Sequence, residues 1–453
     1  MHRLVRSLFL LICLGVPVAR AQDGVTAPAA APVGAEHKNA GYQGGSFFLR
    51  SDDDNFILIP TGRFQMDAFG YNGSGIQKSP ISTFNPKRAR IEVGGTIMRH
   101  WDFWLGSEFT GAAAVATDVY VIANYTRYAN IQIGQFDAPF TMENRTSDKW
   151  MDLQERSVVV RGFGIPENKE IGAMLFGQPE RKWAYWSLGL FNGEGQNVAP
   201  HRSNSYDIMG RAWFAPLGLA GMEAFKNIWI GGSFWSGWRS SPAATQVDRL
   251  AVKDQGGFTF FNPVGGASHF GDYGQVTKYA IELNVPVGPV VVKAEYVNGS
   301  EGTREISSVA NSPANPKVFG SVMSEGKLAG DGFYVRASYF LWGDPLINGL
   351  AGMQPLPHLY EEAKPNKTES ALQLVAEWDH LFFNYAVPLE SGTSKFAGSY
   401  GVNTVTLGAN YWLTKHVRLT GNFLYNTFLG NAATPLTNSQ NSYEFTVRVA
   451  VAL

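Results

Sequence analysis

The last twelve residues, 442–453, alternate between apolar and polar without a break. Tyr443, Phe445, Val447, Val449, Val451 and Leu453 fall on one side, and Ser442, Glu444, Thr446, Arg448, Ala450 and Ala452 on the other. Side chains alternate across a strand, so one face is wholly apolar while the other carries a glutamate and an arginine. One such strand would suit a soluble sandwich. Here the pattern recurs along the chain in segments of about ten residues, which is the signature of a transmembrane β-barrel.

The first 21 residues read as a separate object. Arg3 and Arg6 precede an apolar run from Leu8 to Val16, and Ala19-Arg20-Ala21 offers a small-x-small cleavage site. This is the pattern of a cleavable secretory signal peptide, too short to span a bilayer as a helix. The single cysteine, Cys13, lies within it, and Ile12 stands where a lipoprotein signal needs a small residue. The mature chain is then expected to carry no disulfide and no thiolate metal site. Residues 22–55 are rich in Ala, Pro and Gly towards their start and are expected to form a flexible periplasmic lead-in to a barrel over 56–453. Ser51-Asp-Asp-Asp-Asn55 reads as a solvated acidic turn, because it lacks the spacing and distal glutamate of a calcium loop.

Removing Arg3, Arg6 and Arg20 from the 37 Lys and Arg leaves 34 against 38 Asp and Glu, a formal charge of −4. No global basic field exists to attract nucleic acid. Mean hydropathy is −0.12, and no long uncharged apolar run follows the signal segment, which excludes helical membrane spans. A barrel survives both tests, since its polar lumen dilutes hydropathy. The 12 Trp and 18 Tyr suit interfacial aromatic girdles.

Alternation predicts sixteen strands, at 56–69, 87–98, 101–110, 117–127, 130–136, 169–178, 183–192, 205–215, 226–238, 275–285, 288–298, 329–342, 369–380, 402–412, 415–426 and 442–453. Alternate gaps are mostly tight, as at Arg99-His100 and Pro286-Val287, and those between are long, as at 70–86, 137–168, 239–274 and 299–328. Short periplasmic turns and long outer loops produce that rhythm. Residues 216–225 and 343–368 break it.

Parity then sorts the charges. Arg63 and Asp67 on the first strand, and Arg88, Arg90 and Glu92 on the second, oppose the apolar faces of their strands. Arg211, Lys278, Lys293, Arg336, Arg418 and Arg448 fall inward by the same rule, as do Glu108, Asp118, Asp207, Glu282, Glu295, Glu377, Asp379 and Glu444. The interior is thus charged with both signs, which predicts a water-filled lumen.

The stretch from Lys87 to Gln178 resembles the phosphate-selective porins of the O and P type. The matching pieces include Lys87-Arg-Ala-Arg-Ile-Glu-Val-Gly-Gly-Thr96, Ile133-Gly-Gln-Phe-Asp-Ala-Pro-Phe140, Thr146-Ser-Asp-Lys-Trp150 and Leu153-Gln-Glu-Arg-Ser157. Leu188-Gly-Leu-Phe-Asn-Gly-Glu-Gly195 and Leu407-Gly-Ala-Asn-Tyr-Trp-Leu413 follow. The resemblance implies an outer-membrane homotrimer of sixteen-stranded barrels, surrounded by lipid and lipopolysaccharide. It further implies a third outer loop, here 137–168, folded into the pore. It places Lys149 at a constriction and Lys87 and Arg88 in a basic pair on the wall; Arg63 and Arg90 join them as lumen bases. Arg156 reads first as an anchor of the loop and second as a further pore-lining, anion-binding base. The function implied is passive diffusion of phosphate-like anions with no cofactor and no energy source. Two departures are the lack of the family's later series of closely spaced arginines and the ending in Leu453 instead of an aromatic residue.

Other readings are a general weakly selective porin, a barrel hydrolase, and an adhesin or scaffold. A hydrolase needs a nucleophile with a positioned base. No mature histidine is placed on a lumen face beside a serine and an acid, and no Gly-x-Ser-x-Gly elbow or His-Glu-x-x-His helix occurs. The expectation is therefore a channel and not an enzyme.

Overall fold

The computed structural model describes residues 38–452 except 44–45, 73–82, 127, 166–167, 180–181, 199–204, 240–250, 263–267, 308–321, 344–346, 350–351, 355–369, 388–395, 415 and 437–438. The signal segment 1–21 and most of the unusual gap 343–368 lie outside the described residues.

Sixteen antiparallel strands close on themselves, with the last paired to the first through Val447 opposite Ala68 and Phe445 opposite Gly70. In chain order they are β1 (Phe56–Asn72), β2 (Thr83–Ile97), β3 (Trp101–Glu108), β4 (Val115–Ala123), β5 (Asn130–Asp137), β6 (Lys169–Gly177), β7 (Ala184–Phe191) and β8 (Asp207–Phe214). They continue with β9 (Trp229–Arg239), β10 (Ser268–Val287), β11 (Val290–Ser307), β12 (Val322–Trp342), β13 (Ala371–Ala386), β14 (Gly398–Thr414), β15 (Val417–Gly430) and β16 (Asn441–Ala452).

Every expected strand is present, but β10 to β13 run further out than alternation showed. The outer end of β11, Ser300-Glu-Gly-Thr-Arg-Glu305, is polar on both faces, so no lipid face marks it in the sequence. Backbone pairing with β12 is joined there by the Arg304–Glu325 pair and by Ser324 Oγ donating to Glu305 at 2.9 Å. The turn between β10 and β11 also moves from Pro286-Val287 to Gly288-Pro289. Gly288 takes φ +55°, a left-handed conformation that costs glycine nothing and favours tight hairpins.

The lead-in is shorter than expected. Ala40–Gln43 and Ser46–Arg50 form a hairpin that pairs with β1 through Leu49–Leu58 and Arg50–Ile57. Phe48 is buried beneath it, and Tyr42 Oη meets His416 Nε2 at 2.6 Å beside the start of β15. Strands of four or five residues among glycines leave too short a pattern to read.

The two faces separate as parity required. Val447, Phe445, Ile91, Leu407 and Trp378 are exposed outward, while Arg448, Glu444, Glu92, Thr406 and Glu377 are buried inward. Val447 is 51 % exposed and Arg448 fully enclosed, although they are neighbours in sequence. An arginine near the midplane on the lipid face costs roughly 2–4 kcal/mol. Val447→Arg should therefore lower the unfolding free energy of the lipid-embedded barrel by about that amount, while Val447→Leu stays near the parent. Denaturant titration from liposomes checks this, and equal stability of the two variants would refute the facing assigned to β16.

Candidate functional site

The loop between β5 and β6, residues 138–168, crosses the interior and is tied to wall strands around most of the circumference. Its ends are held together by Ala138 N–H donating to Asn168 O at 3.1 Å. Thr141 N–H donates to Ser233 Oγ on β9 at 2.9 Å, and the amides of Met142 and Glu143 donate to the Glu295 carboxylate on β11 at 2.7 and 2.8 Å. Glu143 receives Arg336 Nη2 of β12 at 2.5 Å. Asp152 receives Lys293 Nζ at 2.6 Å and Gln373 Nε2 at 2.9 Å. Asn410, Arg418 and Arg448 donate to the carbonyls of Asp152, Met151 and Gln154 at 2.6, 2.8 and 2.6 Å.

A short helix, α1 (Val158–Phe163), caps this path, with Ser157 Oγ accepting from Val160 N–H. Its apolar face lies on β11 and β12. Glycines 299 and 332 stand where a Cβ would press into Phe163 and Val159. Of the inward charges on β11 to β16, Glu295, Lys293, Arg336, Arg418 and Arg448 thus face the loop, while Glu282 pairs with Arg211 and Lys278 with Glu301 on the wall. A group of half-buried charges gathers in another sector.

That sector is the wall from β1 to β5. Lys87, Arg88, Arg90, Glu108, Asp118 and Asp137 are half-buried there, facing Arg145, Lys149, Glu155 and Arg161 of the loop and its helix. Lys149 points at the wall. Its Nζ lies 3.1 Å from Thr61 Oγ1 and 3.5 Å from Glu92 Oε2. The loop acids nearest to it in sequence, Asp148 and Asp152, are engaged with Arg63 and Arg88 and with Lys293. Burial and then the Arg63 guanidinium bring the Lys149 ammonium down to about 8, against the pull of Glu92.

The remaining bases are held in ion pairs. Arg63 forks onto Glu92 at 2.7 and 2.8 Å and also meets Asp148. Arg88 meets Asp148 and donates to Gln65 Oε1 at 2.8 Å. Arg90 pairs with Glu108 at 2.8 Å and reaches Asp148 at 3.6 Å. Lys87 pairs with Glu155 at 3.1 Å. The ladder of open lumen bases is therefore a lattice of opposite charges, because two adjacent strands and the loop bring carboxylates to the same level. Arg156 is buried and donates to Glu143 O at 3.1 Å and Thr146 O at 3.0 Å, so it anchors the loop and does not line a passage.

Against known proteins, the family described as "Phosphate-selective porin O and P" matches residues 60–228, which hold β1 to β8 and the inserted loop. Porin O of Pseudomonas aeruginosa is 20 % identical over 406 residues, covering 84 % of this chain and 85 % of that protein. The chain is an outer-membrane porin related to that family.

Among solved structures, OmpT of Vibrio cholerae covers 90 % of this chain and all of its own, with a TM-score of 0.51 and 11 % identity. A trimer form of in-vitro folded OmpT from Vibrio cholerae covers 88 % of this chain and all of its own, with a TM-score of 0.51 and 9 % identity. At such identities these two show the fold alone.

The porin lumen holds a second inserted segment that alternation did not reveal. The span 239–274 reads as an outer loop, yet Val252–Lys253 and Thr259–Phe261 pair as a small hairpin inside the barrel. Phe258, Phe260 and Phe261 pack on Phe383, Tyr400 and Phe428 of the inner wall. Gln255 donates to Glu377 at 2.6 Å and accepts from Thr406 at 2.8 Å. Asp254 Oδ1 accepts from Phe258 N–H at 2.8 Å, and its carboxyl meets that of Glu444 on β16. Among the described residues, Asp254 Oδ2 and Glu444 Oε2 have no donor. A proton between the two carboxyls satisfies both. Burial pushes Asp254 up to about 6, opposed by Arg161.

An acid whose bound value lies above its free value of 3.8 holds its proton more tightly when docked. Docking of this hairpin should therefore weaken as pH rises from about 4 through 6. Proteolysis within 251–262, referenced to a peptide substrate, is expected to be faster at pH 8 than at pH 5. Asp254→Asn should flatten the difference. Equal cleavage of the parent at both pH values would contradict the shared proton.

Proposed function

We propose that the chain is a passive porin for small, phosphate-like anions and that it performs no covalent chemistry. The observation carrying this reading is the charge of the ion-paired cluster around Lys149. Arg63, Lys87, Arg88, Arg90 and Lys149 stand against Glu92, Glu108, Asp148 and Glu155, five cations to four carboxylates joined in ion pairs. An excess of one positive charge in a confined, partly desolvated space favours anions moderately. The family description points to the same class of solute. The smallness of the excess makes the selectivity modest, between a phosphate filter and a general pore.

Lys149 is the group best placed to meet a passing anion, since it faces the wall from the loop and keeps part of its surface open. A lysine ammonium donates several hydrogen bonds and shifts its protonation readily when buried. Below pH 8 it is charged, and above that it is increasingly neutral. Reversal potentials in chloride and phosphate gradients across a planar bilayer should show anion preference near pH 7 and less of it at pH 9. Lys149→Glu should move the preference towards cations. A parent channel that prefers cations at pH 7 removes the phosphate-like assignment and leaves a general porin.

The barrel is further read as one subunit of a homotrimer in lipid and lipopolysaccharide. Strands β3 to β8 are only eight or nine residues long, against 20 for β10 and 21 for β12. At about 3.3 Å per residue and a tilt near 40°, eight residues rise roughly 20 Å, less than the apolar band of about 25 Å. A wall this low is better covered by protein than by lipid, which supports neighbouring subunits packed on this side. A monomeric mass for the detergent-extracted protein under native conditions would remove the trimer.

A further inference from the structure

One carboxylate in the open sector stands apart from the others. Glu92 and Glu108 lie on wall strands, each beside an arginine on its own or a neighbouring strand. Asp148 comes from the inserted loop and meets three arginines at once. Arg63 of β1 and Arg88 of β2 both contact it, and Arg90 of β2 lies 3.6 Å away. The side chain is 7 % exposed, so its charge is scarcely diluted by solvent. Its position is fixed independently of those arginines. Gln65 Nε2 donates to Asp148 O at 3.2 Å, Trp150 N–H donates to Ser147 O at 2.9 Å, and Arg156 holds Thr146 O at 3.0 Å. The turn is built to carry a carboxylate to this point.

We propose that Asp148 is a specificity-determining residue, a fixed negative charge that holds down the anion preference of the passage. The inference rests on the porin reading of the same sector. Arg63, Arg88 and Arg90 share a small region, and each keeps part of its side-chain surface uncovered. Without a central carboxylate, their charges would add at the place a permeating ion must pass. With Asp148 among them, the cluster around Lys149 holds the five cations and four carboxylates named above. With its charge removed, it holds five and three, and the net charge doubles. Asp148 also orients the guanidinium groups towards the loop, which reserves donors that an anion would otherwise take.

The loop does not depend on this residue for its place. Glu143 and Asp152 tie it to Arg336 and Lys293 on the other side of the barrel, and Glu155 ties it to Arg448 on β16. Asp148→Asn keeps the volume and one acceptor oxygen while removing the charge, so it separates electrostatics from packing.

The test is the reversal potential of the purified full-length barrel in a potassium chloride gradient, at 0.1 M and at 1 M mean salt. Asp148→Asn should raise the anion-to-cation permeability ratio by about twofold or more at the lower salt, with less effect at 1 M, where charges are screened within about 3 Å. Single-channel conductance should stay within about a factor of two, since the loop remains docked. Glu223→Gln, an exposed acid in the turn between β8 and β9, should leave the ratio unchanged. An unchanged ratio in Asp148→Asn with intact conductance overturns the proposal, as does a shift towards cations. A large rise in conductance with no change in the ratio also overturns it, because Asp148 would then be a tether. A cation-selective parent removes the anion-porin reading, whereas the direction of the shift on substitution still decides the role of Asp148.

Discussion

The interior of this barrel depends on pairing charges that cannot be left alone. Removing one partner of a buried ion pair costs about 3–5 kcal/mol, because the other is stranded without water. The inner wall from β9 to β16 presents Lys293, Arg336 and Arg448, none more than 4 % exposed. The inserted loop supplies Asp152, Glu143 and Glu155 to them, while Arg336 also pairs with Glu377 and Arg448 with Asp67 on the wall itself. Loop and wall therefore share one network of charges. A loop without its acids would leave the wall bases only their wall partners, and a wall without its bases would leave the loop acids unpaired.

This arrangement explains where the passage lies. The loop rises from β5 and descends into β6, so its body is carried across the barrel towards the far wall. There the ion pairs and the apolar face of α1 hold it. The hairpin at 252–261 adds aromatic packing on the same side, around Phe383, Tyr400 and Phe428. The near wall, β1 to β5, keeps half-buried charges facing the loop's other edge. On the proposed function, a few groups at this edge decide selectivity. Their proximity to each other matters more than the charge of the whole chain, which is nearly balanced.

The lattice also changes how the individual bases act. An arginine forked onto a carboxylate, as Arg63 is onto Glu92, offers an anion fewer donors than an open one. Lys149 differs because it comes from the loop, meets a hydroxyl and a more distant carboxylate, and is lowered towards neutrality by burial. Its charge responds to pH near the physiological range, whereas a guanidinium stays charged throughout it. One site thus combines a fixed lattice with a single adjustable charge.

Alternation in the sequence determined the barrel, its sixteen strands, and which side of each strand faces lipid. Period-two patterning survives because a charge on the lipid face is heavily penalised, so Val447 and Arg448 could be assigned opposite faces from their neighbours alone. The insertion of the loop read as 137–168 was legible through its length and its resemblance to known porins. A cross-strand pairing of the wall arginines with Glu92 and Glu108 could be read from neighbouring strands, but the meeting of Arg63, Arg88 and Arg90 with Asp148, and of Lys149 with Thr61, could not. These partners lie far along the chain, as in Arg63 with Asp148, 85 positions away, and Lys149 with Thr61, 88 positions away, and nothing local encodes such distances. The hairpin at 252–261 was equally hidden, since Asp254 and Phe258 acquire meaning only against Glu444 and Phe428 on strands formed much later in the chain. Strand periodicity is a local consequence of backbone geometry and lipid. The pairing of charges inside the barrel arises only when the closed wall brings distant side chains into one space from which water is largely excluded.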